Sequence, residues 1–324
     1  MAHGAASLES KLSRGSIPWP YDWHLNRIAP TNGKEMTMES YEIGSSALTA
    51  GVLEIGAELC SLRDAKGWEY LWQAGPAWPR HAPNLFPIVG RLKDDRLRHG
   101  GKEFHLTQHG FARDRRFAWL GRQETSCSLE LGDDAESRAI YPFAFRLILS
   151  YEVAGAVLHI SFSLENPGDV VLPASVGAHP AFNWPLAPGK AKDAHRIVFA
   201  EREPGPIFQV KGGLLQEATV PSRVLGRTLA LDEALFDADA LIFKPSHSQA
   251  LRYEAPGGPA LNVSWQGFTE LGIWSRRGGD FLCIEPWRGY ASPVGFDGEF
   301  TEKPGLMHLA PGETRTMAIT IRID

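Results

Sequence analysis

Three stretches of the chain hold proton-carrying side chains in rigid surroundings. "SVGAHPAFNW", residues 175–184, places His179 and Asn183 among small residues, a proline and aromatics. "FLCIEPWRGYASP", residues 281–293, ends the apolar run Phe281, Leu282, Cys283, Ile284 on Glu285, with Pro286 and Trp287 next. "NLFPIVGRLKDDRLRHGGKEFHLTQHGFARD", residues 84–114, carries Arg91 after an apolar run, then His109 before Gly110 and Phe111, then Arg113 and Asp114. An unperturbed imidazole titrates near about 6.5, so a small shift leaves a useful fraction charged at neutral pH. A carboxyl closing an apolar strand is partly desolvated, which raises its pKa unless a partner compensates. Imidazole and carboxylate flanked by aromatics suit the movement of protons.

Each feature also has an ordinary structural reading. Histidines are more often surface or satisfied structural residues than catalysts, and Arg91 and Arg113 could be plain ion-pairing residues. Several chemistries are excluded by what is missing. There is no HExxH, no CxxC pair and no ligand-like local spacing of histidines, so neither a metal nor a cofactor is expected. A GxSxG elbow and a phosphate-cradling GxxxxGK[ST] are also absent, which leaves nucleophilic hydrolysis and nucleotide chemistry without support.

The elements that must position these groups read as strands. "FAFRLILSYEV" puts Phe143, Phe145, Leu147, Leu149, Tyr151 and Val153 on one face and Arg146, Ser150 and Glu152 on the other. "AVLHISFSLEN" alternates likewise, with Leu158, Ile160, Phe162 and Leu164 inward, and the short "AGA" between the two runs predicts an antiparallel hairpin. Near the carboxyl end, "RTMAITIRI" repeats the pattern with Met317, Ile319, Ile321 and Ile323. "ALTAGVLEI", "HRIVFA", "DALIFK", "ALNVSW" and "FLCIEPW" are further strand candidates, while "DEALFDADA" predicts a helical turn or two. With 33 Gly and 23 Pro as punctuation, the class is all-β, a large antiparallel β-sandwich. Residues 36–324 are expected to form one domain, preceded by a loosely structured extension over 1–35.

The bulk properties set limits on partners. Against 38 acidic residues there are 33 basic ones, a net charge of −5 that offers no positive field for a phosphate backbone. No apolar run reaches the roughly 18 residues that a membrane helix needs. The first 30 residues lack the continuous apolar segment of a secretory signal. Cys60, Cys127 and Cys283 are odd in number and lie in apolar, strand-like runs, which fits a reduced, cytoplasmic protein. Nucleic acid and membrane are therefore not expected partners.

Taken in order, "NLFPIVGRL", "QHGFARD", "VGAHPAFNWPL", "LGIW" and "CIEPWRG" resemble the aldose 1-epimerase (galactose mutarotase-like) family, and within it the divergent LacX-like bacterial branch. The resemblance covers about residue 36 to 324. It implies a large antiparallel supersandwich that interconverts the α and β anomers of an aldohexose without a cofactor. Carried over residue by residue, it implies His179 as general acid and Glu285 as general base, with His109 as a second imidazole beside the sugar. Arg91 would bind hydroxyls, Asp239 in "FDADALIF" would be the sugar-binding acid, and Trp287 or Phe182 would cover the pyranose face. Asn183 joins the sugar-binding candidates. Gly90–Arg91 stands where galactose mutarotases have an Asn-Arg pair, a departure that bears on the sugar rather than on the reaction.

The implied chemistry needs two proton carriers on different sides of C1. A carboxylate takes the C1 hydroxyl proton while an imidazolium donates to the ring oxygen. Two alternatives share the fold: a hexose-6-phosphate 1-epimerase using Arg113, Arg115, Arg116 or Arg288 for the phosphate, and a sugar-binding or sensing protein without turnover. A glycosidase would need two flanking carboxyl groups. Glu285 and Asp239 in a histidine-rich site are a poor match for it.

Overall fold

The computed structural model describes residues 40–324 and the strands Tyr21–Asp22, Arg27–Ile28 and Met36–Thr37. The chain divides into two units, Met1–Met38 and Glu39–Asp324. In the first, the three short strands pair antiparallel. Apart from them, the extension expected over residues 1–35 lies outside the described residues.

In the second unit, period-two alternation becomes a nine-stranded antiparallel sheet. Its order is Ala118–Arg122, Ser126–Gly132, Arg146–Ala154, Val157–Glu165, Thr314–Ile323, Ala260–Gln266, Ala250–Glu254, Arg196–Phe199 and Thr228–Ala230. The expected hairpin forms as Arg146–Ala154 against Val157–Glu165, with Ala154 opposite Val157. Its two-residue turn opens on Gly155 at φ 58°, the positive value that hairpin turns matching strand twist require. Phe143 and Phe145 are buried as expected but precede the strand. The Phe145 N–H donates to the Asp133 carboxylate and its carbonyl accepts from the Asp133 N–H, a local closure at the end of the ladder.

A second antiparallel sheet carries the site. It runs Leu214–Val220, Ile207–Lys211, Leu241–Phe243, Glu270–Trp274, Phe281–Arg288, Val176–Ala178 and Asn84–Leu85, with Ala181–Asn183 also paired to Phe281–Arg288. One face of this sheet (Leu271, Ile273, Leu282, Ile284) joins Leu147, Leu149, Leu158, Phe162, Ile319 and Ile321 of the first in a single apolar core. That shared core makes the second unit a sandwich. Phe281–Arg288 is buried over all but its last residue, so its opposite face, carrying Cys283, Glu285 and Trp287, is covered as well. "DEALFDADA" supplies a 3-10 turn, Glu233–Phe236, whose first turn is capped by Asp232 accepting from the Leu235 N–H.

Candidate active site

Strand register brings the first two candidates together. Gly177 pairs with Trp287 and Ala181 with Cys283, so His179, midway between them, falls opposite Glu285. Pro180 interrupts the strand at this point because it has no N–H to give the ladder, although its carbonyl still accepts from the Ile284 N–H. The two side chains therefore share one face, with His179 Nε2 3.2 Å from Glu285 Oε2. His179 is 8% exposed and Glu285 1%. The approach is not a hydrogen bond: Glu285 Oε2 and His179 Nδ1 are both buried without a partner.

Burial sets the protonation of this pair. Loss of solvent pulls His179 from its ordinary value down to about 3, and the Arg113 and Arg80 guanidiniums push in the same direction. Desolvation, then the nearby Asp239 carboxylate, holds Glu285 well above the usual carboxylate range. Both shifts favour the uncharged forms, a protonated Glu285 carboxyl beside a neutral His179 imidazole. This corrects the expectation that His179 stays near its unperturbed value. At 3.2 Å there is also no room for a sugar atom between the two groups, so they meet a ligand side by side rather than from opposite sides.

Around the pair lies a cavity of about 250 Å³, small beside the roughly 300–1,000 Å³ of pockets for drug-sized ligands. His109, Asp239 and Trp287 line it, as do Trp78, Trp274, Gln108 and Arg113. His109 sits in a tight turn at φ 66°, an unusual conformation for a residue with a side chain. Gly110 follows at φ 68°, where a Cβ would stand 2.3 Å from the Phe86 carbonyl oxygen, so only glycine fits. Gly90 and His109 bond reciprocally: the His109 N–H donates to the Gly90 carbonyl at 2.7 Å, and the Gly90 N–H donates to His109 Nδ1 at 3.1 Å. An accepting Nδ1 leaves the ring proton on Nε2. Burial, then Arg113, keeps this imidazole well below its ordinary pKa, so it is a neutral donor.

Asp239 stands at the rim at φ 83°, its carboxylate accepting from the Ala240 N–H at 2.7 Å. Trp287 is held between two glycines: a Cβ at Gly177 would lie 2.8 Å from its Cδ1, and one at Gly272 2.6 Å from its six-membered ring. Trp78 stacks on the His179 imidazole with ring centres 4.9 Å apart, and Trp274 meets it edge-on at 5.8 Å. The Arg113 guanidinium donates to the Gln108 carbonyl, and burial lowers its pKa to about 10.

Other candidates lie elsewhere. Arg91 does not line the cavity; Asp95 takes its guanidinium in two bonds of 2.6 Å. Asn183 donates to the Glu69 carbonyl, and Phe182 is buried in the core between the sheets. Among the arginines considered for a phosphate, Arg115 is bound to Asp134 and Glu136, Arg116 to Glu54, and Arg288 to Thr269. Sequence reasoning passed over Trp78, whose signal was a large aromatic in the Pro/Gly-rich loop "GPAWP". Trp274 closes the "LGIW" run and had been quoted without a role.

Comparison with known proteins agrees with this architecture. The family described as Aldose 1-epimerase matches residues 39–322. Protein LacX (plasmid) of Lactococcus lactis subsp. lactis is 30% identical over 294 residues, covering 87% of this chain and 98% of that protein. A galactose mutarotase related enzyme from Lactobacillus acidophilus superposes with a TM-score of 0.82 at 32% identity, covering 88% of this chain and 97% of the other. A galactose mutarotase-like protein from Lactobacillus casei also gives 0.82, at 26% identity, over 88% and 100% of the two chains. No helix among the described residues is long and apolar enough to cross a membrane. With the match running through nearly all of the second unit, the chain belongs to the aldose 1-epimerase family.

Proposed function

We propose that the protein is an aldose 1-epimerase that interconverts the α and β anomers of a hexose by general acid/base ring opening and closure. The observation that carries this reading is the buried His179–Glu285 contact, 3.2 Å long and open to a cavity that also presents His109 and Asp239. Burial favours a protonated Glu285 and a neutral His179. A bound sugar supplies what each charged form lacks: its C1 hydroxyl donates to a Glu285 carboxylate, and its ring oxygen accepts from a His179 imidazolium. Binding therefore moves the proton from Glu285 to His179.

From that state the carboxylate takes the C1 hydroxyl proton as the imidazolium gives its own to the ring oxygen, and the bond between C1 and the ring oxygen breaks. The open-chain aldehyde is then held beside a neutral imidazole and a protonated carboxyl. This is the protonation state the burial of the pair favours, so the site suits the open-chain intermediate. Rotation about C1–C2 and the reverse transfers give the other anomer. The neutral His109 donor and the Asp239 acceptor fix hydroxyl groups, and Trp287, Trp78 or Trp274 offers an apolar face to the ring.

A neutral hexose is favoured over a phosphorylated one. Arg113 is the one arginine of the four considered for the phosphate that lines the cavity, which two carboxyl-bearing residues, Asp239 and Glu285, also line. Polarimetry on the freshly dissolved α anomer of several aldohexoses tests the proposal. Catalysed mutarotation is expected for at least one of them; calorimetric sugar binding with no change in rate would replace the enzyme with a binding protein.

A further inference from the structure

Cys283 is two residues before Glu285 on the same strand, so both project from one face, and His179 stands opposite Glu285. One ring nitrogen, the Cys283 sulfur and one carboxylate oxygen all lie within 4.8 Å of one another, and all three residues are buried. No local spacing in the chain announces this set, which is why no metal was expected from the motifs alone. We infer that His179, Cys283 and Glu285 form a binding site for a thiophilic divalent cation, Zn²⁺ above all, reached through the cavity that His179 and Glu285 line.

The donor set matches that cation. Nitrogen, sulfur and oxygen ligands at about 2.0–2.3 Å are those of zinc, with three protein ligands leaving a fourth position open. Tetrahedral bonds of that length put ligand atoms about 3.3–3.8 Å apart, so the widest pair of the cluster must close by no more than about 1.5 Å. Glu285 Oε2 is a buried oxygen with no partner. A water molecule completes the shell at the fourth position. On binding, the Cys283 thiol and the Glu285 carboxyl release their protons to solvent and the imidazole gives its lone pair.

Two of the three ligands, His179 and Glu285, are the proposed proton carriers. A bound cation occupies both, so it blocks acid/base work instead of assisting it. Cys283 is no part of the transfer itself, which lets the two roles be separated by substitution.

The inhibition arm of the test rests on the epimerase reading, whereas the spectroscopic arm does not. Stoichiometric Co²⁺ added to the full chain should produce a thiolate-to-cobalt absorption band that excess hexose suppresses. Cys283→Ala should abolish the band, leave the basal mutarotation rate unchanged and weaken Zn²⁺ inhibition at least tenfold. A Cys60→Ala, Cys127→Ala double variant should keep the band, which makes the assignment independent of how well Cys283→Ala folds. Absence of the band in the unaltered protein, its survival in folded Cys283→Ala, or its loss in the double variant would overturn the site. A band in a protein that mutarotates no sugar would support the site and defeat only the enzymatic reading.

Discussion

The six-membered ring of Trp287 lies so close to the Gly272 backbone that a Cβ at Gly272 would stand 2.6 Å from both Cη2 and Cζ2. Gly177 closes the other edge of the indole, so the ring has no way to retreat except into the cavity. Gly272→Ala is therefore expected to push Trp287 into the sugar's space. Overpacking of this kind costs about 1–3 kcal/mol. Thermal melting should register that loss, and polarimetric kinetics should show KM rising more than kcat falls. A variant with unchanged KM would mean that Trp287 does not bound the sugar site.

Substitution of either proton carrier should abolish most turnover while sparing the fold. His179→Ala and Glu285→Gln are each expected to slow mutarotation by about a hundred- to ten-thousandfold, the usual contribution of one positioned acid or base. Circular dichroism and melting would establish that both variants are folded. Wild-type rates in either would refute the assignment.

Stability should depend on pH with opposite signs for the two residues. Glu285 holds its proton more tightly folded than unfolded, because burial penalises the carboxylate. Its contribution is complete below about pH 4.3, the ordinary carboxyl value, and is lost as pH rises through the folded value. His179 runs the other way: its pKa is about 3 folded against 6.5 unperturbed, so stability falls as pH drops from 6.5 towards 3. Each slope reaches at most about 1.4 kcal/mol per pH unit. Denaturant midpoints across pH should lose the alkaline-side decline in Glu285→Gln and the acid-side decline in His179→Asn. Curves parallel to wild type would show that these groups are not buried as described.

Arg91 and Arg113, both within residues 84–114, should separate cleanly. Arg113 lines the cavity, whereas Arg91 is spent on Asp95 with its side chain 42% exposed. Arg113→Ala is expected to raise KM about ten- to a hundredfold, the effect of losing one charge-assisted hydrogen bond of about 1.5–3 kcal/mol. Arg91→Ala should change KM by no more than about twofold. The reverse ranking in steady-state kinetics would mean that Arg91 turns into the cavity when sugar binds.

Strand alternation was legible because side-chain direction repeats every two residues wherever a sheet has one buried face. Arg146–Ala154 and Val157–Glu165 were readable on that basis, down to the turn between them. Phe281–Arg288 was harder: covered on both faces, it shows a continuous apolar run in which nothing marks Cys283, Glu285 and Trp287 as sharing a side. Arg91 and Asn183 could not be excluded from sequence, since the partners that occupy them, Asp95 and the Glu69 carbonyl, were chosen by backbone geometry. The place of Trp78 against His179 was not legible for a related reason, because a loop residue's neighbours are set by the elements it crosses and not by any local period.

The amino-acid sequence determined the class of sheet, the absence of a basic field for nucleic acid, and the residue types able to carry protons, because patterning and charge are properties of the chain itself. Only the tertiary structure decided that His179 and Glu285 touch side by side, that burial favours the uncharged form of each, and that Cys283 is within reach of both. Those outcomes depend on cross-strand register and on the exclusion of water, and neither exists until distant segments have paired.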